Sequence, residues 1–296
     1  MEFTWQHQGQ SMAMKRFLTT HAISMRTIKA IKAIKHGTGA FLVNNQVQTG
    51  VITIHDGDIA GIQLPDEAPD TAVAVSEQPI QIEYEDANWL VLNKPAGLTS
   101  VPGPSNRTDT LVNRIKGYLI ASHASNQRPH LITRLDRDTS GLVLVAKHRV
   151  AQGMLTEPRI AAQLVKTYQA WIEGTITPAS GTIDRPIGRV ADSPRRVVTT
   201  AGQRAITTYQ VEADQLQHNV SRLRLELVTG RTHQIRVHLT TLGHPLLGDA
   251  LYGGNLAWIQ RQALHAASLQ FFDPFSEQTL HFEAALPADL QALNHD

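Results

Sequence analysis

A charged loop leads directly into a short apolar strand in residues 130–146, which read HLITRLDRDTSGLVLVA. A carboxylate at Asp136 or Asp138 would stand in a glycine-terminated loop at the mouth of a core strand, where its neighbours can be fixed and water limited. An arbitrary aspartate in such a loop more often caps a turn or pairs with a nearby arginine, here Arg134 or Arg137. Both interpretations remain open on this stretch alone.

Further stretches of strand length lie on both sides of this one. The predicted strands are two within 40–47, joined by a turn at Asn44-Asn45, then 51–54, 82–84, 89–92, 142–145, 167–172, 205–211, 221–229 and 280–284. The predicted helices are 14–18, 25–35, 108–119 and 150–164, the last interrupted by Pro158. Because the strands do not alternate with helices and phosphate-loop glycines are missing, a doubly wound nucleotide fold is not favoured. The pattern predicts an α+β fold around a large mixed, mostly antiparallel sheet with a central cleft.

The composition excludes several classes of protein. The 296 residues carry 27 Lys and Arg against 26 Asp and Glu, a net charge of +1, which excludes a histone-like protein. With 42% hydrophobic and 18% charged residues, the chain is an ordinary folded globule, and without cysteine it has no disulfide scaffold or thiol nucleophile. Apolar runs are too short to span a bilayer, and residues 1–10 lack an export signal. We expect a cytoplasmic monomer without a membrane partner.

Charge is distributed unevenly along the chain. Residues 12–36 contain six basic and no acidic residues, namely Lys15, Arg16, Arg26, Lys29, Lys32 and Lys35, whereas residues 63–86 contain seven acidic and no basic ones. The sequence therefore predicts a small basic domain over 1–64, an acidic linker over 65–79 and the main domain over 80–296. Composition alone favours a solvated helix face for the lysines. The alternative is a basic helix against phosphates, whose binding weakens steeply with salt.

Two further motifs could carry chemistry. In residues 227–239, LVTGRTHQIRVHL, Arg231 and Arg236 could form a fork for a carboxylate or phosphates, or simply a surface ion pair. In residues 166–171, KTYQAW, alternation puts Lys166 and Tyr168 on one strand face, where a tyrosine most often serves as core packing. Histidine spacing does not match a metal site, since His233 and His238 are five apart.

Together these motifs resemble the RluA family of pseudouridine synthases. The resemblance covers residues 80–296, and its motifs are Asn93-Lys94-Pro95 to Leu98, Arg134 to Gly141, Lys166 to Tyr168, Gly230 to Leu239, Gly243 to Asp249 and Phe282 to Pro287. Residues 12–62 resemble more weakly the small S-four RNA-binding module that such enzymes often carry.

The resemblance implies a reaction and a site. The reaction is isomerisation of a uridine in ribosomal or transfer RNA, in which the base is detached, turned and rejoined through carbon without a cofactor. Asp136 matches the catalytic aspartate, Tyr168 the active-site tyrosine and Arg236 the basic partner of the aspartate. Arg134 matches a position near the RNA strand and Ile235 an apolar contact beside the base. We expect Arg231, Lys94, Lys29 and Lys32 to add to RNA or substrate binding.

Physical reasoning supports these roles. A dry pocket disfavours a charged carboxylate, and a buried Arg236 would reverse that by pairing with Asp136. A uridine inside structured RNA must be flipped into the pocket, where Tyr168 could pack on its ring and also deprotonate the rejoined carbon. Whether Asp136 forms a sugar adduct or removes a sugar proton to give a glycal stays open.

The sequence departs from the family pattern at two positions. Thr133 stands where a histidine is common, and Asp273-Pro274 stands where His-Pro is common. Both departures concern the choice of target more than activity. Two other functions remain as alternatives, namely a non-catalytic RNA-binding or ribosome-assembly factor on the same scaffold and, ranked below it, a metal-dependent nuclease.

Overall fold

The computed structural model describes residues 1–33, 39–216 and 219–294. The predicted helical residue Ile34 and the predicted basic residue Lys35 lie outside these ranges. No helix in the described part of the chain is both long enough and apolar enough to cross a membrane.

Two helices and six strands lie within residues 1–33 and 39–64, which we call the N-terminal module. Its strands are β1 (Glu2–Gln6), β2 (Met12–Ala13), β3 (Ala40–Val43), β4 (Gln46–Gln48), β5 (Thr53–Ile54) and β6 (Ile59–Gln63), and its helices are α1 (Met14–Thr20) and α2 (Met25–Ala33). Four strands make a sheet in the order β1-β6-β3-β4, while β2 pairs with β5. Asn44 and Asn45 both adopt positive φ, as a two-residue hairpin turn requires. Helix α2 buries Ile28 and Ile31 and exposes Lys29 and Lys32.

The remainder is built on one large sheet. Its strands are β7 (Ile82–Glu85), β8 (Trp89–Lys94), β9 (His130–Leu131), β10 (Ser140–Ala146), β11 (Val165–Glu173), β12 (Ser180–Asp184), β15 (Ile206–Leu216), β16 (Val220–Leu227), β17 (Leu264–Asp273) and β18 (Gln278–Glu283). Among the described residues the order is β12-β15-β16-β11-β17-β10-β8-β7, with β18 beside β17 and β9 beside β10. A separate hairpin joins β13 (Ile187–Arg189) and β14 (Arg196–Val198). The predicted fold class is confirmed.

Five helices accompany this sheet in the described ranges. They are α3 (Leu111–Ala121), α4 (Arg149–Met154), α5 (Pro158–Ala161), α6 (Gln234–Thr241) and α7 (Ala288–Gln291). The helix predicted over 150–164 is therefore two short helices with a break before Pro158, and residues 227–239, for which no helix was predicted, contain most of α6. Strand β17, central in the sheet, was also missed.

The sheet divides where β10 meets β17. These two strands are the only parallel neighbours among the described strands, and they pair at just two positions, Ser140 with His265 and Gly141 with Ala266. Gly141 has φ of 112°, and a Cβ atom there would lie 2.3 Å from the Ala266 carbonyl oxygen. Only glycine allows this contact. The loop that carries Asp136 ends at this division, so a cleft opens beside it.

The N-terminal module shares its core with the large sheet. Phe17 and Ile62 of the module belong to the same buried apolar cluster as Trp89, Leu144 and Phe271 of the sheet. Burying these side chains in one core stabilises the attachment of the module.

The acidic segment that follows the module is also packed. The carboxylate of Glu67, buried in the structure, accepts hydrogen bonds from the Arg149 backbone N–H (2.7 Å) and lies 3.0 Å from His130 Nε2. The segment predicted as a linker therefore contacts the body that carries the large sheet. The division into domains stays a prediction.

Candidate active site

The cleft beside β10 is a cavity of about 880 Å³. The parts of the chain that line it include the loop before β10, strand β11, the turn that begins α6, and the loop that follows Leu247. They contribute Arg134, Asp136, Lys166, Tyr168, Arg231, His233, Ile235, Arg236 and Asp249. Residues far apart in sequence therefore meet here because β11, β17 and β10 are neighbours in the sheet.

One arginine joins two carboxylates at the floor of the cavity. Arg236, on α6, donates from Nε and Nη2 to the two oxygens of Asp249 at 2.7 and 2.8 Å. Its Nη1 donates to Asp136 Oδ2 at 3.2 Å. The Asp249 side chain is 1% exposed and that of Asp136 is 24% exposed. Asp249 is thus the buried, bidentate partner and Asp136 the one that faces the cavity.

The surroundings of Arg236 keep its guanidinium charged. Burial alone would lower the pKa of the Arg236 guanidinium, but the hydrogen bonds and charge of Asp249, together with Asp136, outweigh it and raise that pKa. The guanidinium carbon also lies 4.9 Å from the centre of the Tyr252 ring, a cation–π distance. Arg236 is therefore a permanent cation that stabilises the ionised carboxylate of Asp136.

His233 and Tyr252 complete the surroundings of the aspartate. His233 adopts a left-handed backbone conformation (φ 58°) directly before α6, which brings its Nε2 to 3.9 Å from Asp136 Oδ2. Its Nδ1 lies 3.0 Å from the Tyr252 hydroxyl. Burial lowers the pKa of the His233 imidazole, although the charge of Asp136 opposes this. The neutral imidazole is the favoured form.

Tyr168 is buried in the wall of the same cavity. It lies on β11 opposite Leu225 and Ala266 and is 6% exposed. Burial, helped by the charge of Asp136, raises the pKa of the Tyr168 hydroxyl. The residue therefore offers a ring edge or face and a protonated hydroxyl at neutral pH.

The structure places Lys94 differently from the predicted substrate contact. Its side chain is completely buried, and Nζ donates to the carbonyl oxygens of Pro95 (2.8 Å), Leu98 (2.7 Å) and Arg137 (2.9 Å). Burial lowers the pKa of Lys94 to about 7, against the opposing charges of Asp138 and Asp136. Since three acceptors need three N–H donors, the bonded form is the ammonium. Lys94 ties the loop of Asp136 to β8, and contact with RNA would break these bonds.

The other predicted residues lie in different places. Arg134 is exposed at the cavity and Ile235 is buried in its wall. Arg231 is exposed there as well, but its Nε donates to the Arg204 carbonyl oxygen, so Arg231 and Arg236 serve different partners instead of forming one fork. Lys29 and Lys32 are exposed on α2, outside the cavity.

The two departures from the family pattern have structural roles. Thr133 Oγ1 accepts a hydrogen bond from the Leu144 backbone N–H at 2.9 Å. Asp273 accepts one from the Trp89 indole N–H at 2.8 Å, and its carboxylate caps the turn at Phe275. In the described ranges no cluster of three or more histidine, aspartate or glutamate side chains could hold a metal ion.

Sequence reasoning assigned no role to three residues of this site. Asp249, which follows Gly248, and Tyr252 contact the guanidinium, and His233 was considered only as a metal ligand. The available signal was the acidic residue after Gly248, since a buried arginine needs a second carboxylate when the first one is half exposed.

Comparisons with known proteins agree on one family. Residues 88–241 match the profile of the family described as RNA pseudouridylate synthase. A Bacillus subtilis protein named uncharacterized RNA pseudouridine synthase YjbO is 37% identical over 283 residues, which cover 95% of this chain and 98% of that protein. Ribosomal large subunit pseudouridine synthase D of Yersinia pestis is 38% identical over 80% of this chain and 76% of its own length. The solved structure of human RNA Pseudouridylate Synthase Domain Containing 1 has a TM-score of 0.59 at 26% identity, and the match covers 74% of this chain and 89% of that one.

Proposed function

This chain belongs to the RluA-type family of RNA pseudouridine synthases, and we propose that it isomerises uridine in ribosomal RNA with Asp136 as the catalytic residue. The observation that carries the proposal is the position of the Asp136 carboxylate. It faces the cavity, and one oxygen accepts a hydrogen bond from Arg236. Its other oxygen makes no hydrogen bond within the described residues, so it is available to a bound nucleotide.

The reaction needs no added group. The bond from uracil N1 to the sugar carbon C1′ breaks, a bond from C5 to C1′ forms, C5 loses its proton and N1 gains one. Asp136 acts either as a nucleophile towards the sugar or as the base that removes a sugar proton. Both routes require the ionised carboxylate that Arg236 stabilises.

A base inside folded RNA reaches this cavity only after it leaves its stack. Tyr168 and Ile235 then supply an aromatic and an apolar surface for the flipped uracil. Arg134 and Arg231 at the cavity, with Lys29 and Lys32 on α2, provide cations for the backbone. The names of the relatives in Yersinia pestis and Vibrio cholerae support the large ribosomal subunit as the source of the substrate.

The test measures tritium released to water from RNA that carries 5-tritiated uridine, because C5 loses its hydrogen when the new bond forms. The protein should release tritium from large-subunit ribosomal RNA, and Asp136→Asn should release none while binding the same RNA. Asp214→Asn, which removes one exposed carboxylate on β15, is the matched control and should keep full activity.

Mapping pseudouridine in the RNA of cells with and without this protein identifies the uridine that the protein modifies. Loss of a pseudouridine only from transfer RNA would overturn the ribosomal substrate. RNA binding without any tritium release from the unsubstituted protein would support the alternative of a non-catalytic factor.

A further inference from the structure

Lys166 is a half-buried cation in the cleft that the proposed reaction leaves without a role. It lies on β11 two residues before Tyr168 and lines the same cavity. In the described parts of the chain its ammonium has neither a hydrogen-bond acceptor nor a carboxylate within bonding distance. A Cβ atom at Gly230, in the turn before α6, would lie 3.9 Å from Lys166 Nζ.

Each carboxylate that lines the cleft pairs with an arginine and not with Lys166. Asp136 and Asp249 pair with Arg236, and Asp138 pairs with Arg137 at 2.9 Å. The positive charge of Lys166 is therefore unbalanced, and burial lowers the pKa of its ammonium without any opposing carboxylate. Keeping an unpaired ammonium partly out of water costs free energy, which an arriving anion can offset.

Building on the proposed function, we propose that Lys166 binds a phosphate group of the RNA backbone next to the flipped uridine. Uracil is neutral and fits the aromatic and apolar wall of Tyr168 and Ile235, whereas the phosphodiester is the anion that a flipped nucleotide carries into the cleft. Residues two apart on a strand stand about 6.6 Å from each other on one face. Lys166 and Tyr168 can therefore contact the backbone and the base of the same nucleotide.

Lys166 differs in this respect from the other cations of the cleft. Arg236 and Arg261 are paired with aspartates, and Arg231 donates to a backbone carbonyl. Arg134 has no such partner among the described residues, but it is exposed. Because its charge is already in water, binding a phosphate offsets little desolvation cost there. Lys166 therefore offers the strongest inner contact for a phosphate.

The first experiment measures the binding of RNA against salt concentration, with the RNA that cell mapping identifies as substrate. Lys166→Met keeps the aliphatic stem and removes the charge. Its Kd should rise about ten- to a hundredfold at low salt, the range expected for a charged hydrogen bond. The slope of log Kd against log salt should fall by about 0.7 to 0.9, as for one lost phosphate contact.

Two variants separate this contact from a structural effect. Lys166→Arg should keep the slope of the unsubstituted protein. Arg224→Gln removes a cation from the opposite face of β16, where it pairs with Glu226, and should change neither Kd nor slope. In tritium release, Lys166→Met should raise KM and leave kcat unchanged, because the contact is present in both ground and transition states. Thermal unfolding checks that Lys166→Met is folded.

The second experiment replaces single phosphates of a short substrate RNA by neutral methylphosphonates. At one linkage beside the target uridine, the replacement should weaken binding by the unsubstituted protein but not by Lys166→Met. If the replacement at every linkage weakens binding equally for the unsubstituted protein and for Lys166→Met, or if Lys166→Met leaves the salt slope unchanged, the proposal is overturned. If the unsubstituted protein releases no tritium from any RNA, the proposed function itself fails, and the phosphate site fails with it. If it is active and Lys166→Met behaves identically, only the phosphate site fails.

Discussion

Asp136 and Asp249 bind the same guanidinium, yet they should respond in opposite ways when each is replaced by asparagine. Asp249 is 1% exposed and makes two hydrogen bonds to Arg236, while Asp136 is 24% exposed and makes one at 3.2 Å. Removing one partner of a buried pair destabilises a protein by about 3–5 kcal/mol, because the remaining charge is left uncompensated. Removing a partly exposed single contact costs about 1 kcal/mol or less.

We therefore expect Asp249→Asn to lower the free energy of unfolding by about 3–5 kcal/mol, a fall in Tm of about 6–20 °C for a chain of this size. Asp136→Asn should leave Tm within a few degrees, since Arg236 keeps its bidentate partner. For activity we expect the opposite order, with Asp136→Asn the more severely affected variant. Asp136→Asn should release no tritium, whereas Asp249→Asn should keep a residual rate, lowered about a hundredfold because Arg236 no longer positions Asp136.

Differential scanning calorimetry and single-turnover tritium release, at a temperature where both variants are folded, provide the two measurements. Asp214→Asn serves as the control for each, as its carboxylate is exposed on β15. Equal losses of stability in the two variants, or retained activity in Asp136→Asn, would show that the exposed carboxylate is the structural one and refute the reasoning.

Three further predictions concern other parts of the chain. Burial lowers the pKa of His148 to about 4 from 6.5, so the unfolded chain takes up a proton at a higher pH than the folded chain does. The free energy of unfolding should therefore be unaffected by this histidine above pH 6.5 and fall by up to about 3 kcal/mol as the pH falls towards 4. Urea unfolding across this range should show a flatter pH dependence for His148→Asn, which can still cap α4, and an equal pH dependence in the two proteins would contradict the assignment. Replacing Lys29 and Lys32 together by glutamine should reduce the salt slope of RNA binding by about 1.4 to 1.8 with Tm unchanged, and an unaltered slope in filter binding would remove α2 from the RNA interface. Gly141→Ala should lower the free energy of unfolding by about 3 kcal/mol or more, because the added methyl group meets the Ala266 carbonyl oxygen and the residue has a positive φ. Calorimetry measures this loss. Unchanged stability would mean that β10 and β17 separate more easily than their contact indicates.

Patterns within short stretches of sequence predicted much of this fold. The strands over 89–92 and 167–172 are strongly apolar or alternating, and they correspond to β8 and β11. Strand β17 was missed because Leu264–Asp273 mixes small, polar and aromatic residues, and its first three residues are buried on both faces at the centre of the sheet. Helix α6 was missed because Gln234 to Leu239 are all buried, so no polar face marks a helical period.

The candidate site, like the fold, was predicted only in part from the sequence. The resemblance paired Asp136 with Arg236, and the geometry agrees with that pairing. The bidentate bond of Asp249, the burial of Lys94 and the core shared by Phe17 and Trp89 depend on long-range packing. No local periodicity encodes such contacts, because they arise only once the sheet has formed.

The hydrogen bond between Asp136 and Arg236 spans 100 positions of the chain, and Asp249 lies a further 13 along. Contacts of such sequence separation form late in folding, since the entropy of closing the intervening loop is lost before the contact contributes. Turnover in this protein therefore reports completed assembly of the whole chain, and a nascent polypeptide still attached to the ribosome before residue 249 emerges has no working centre.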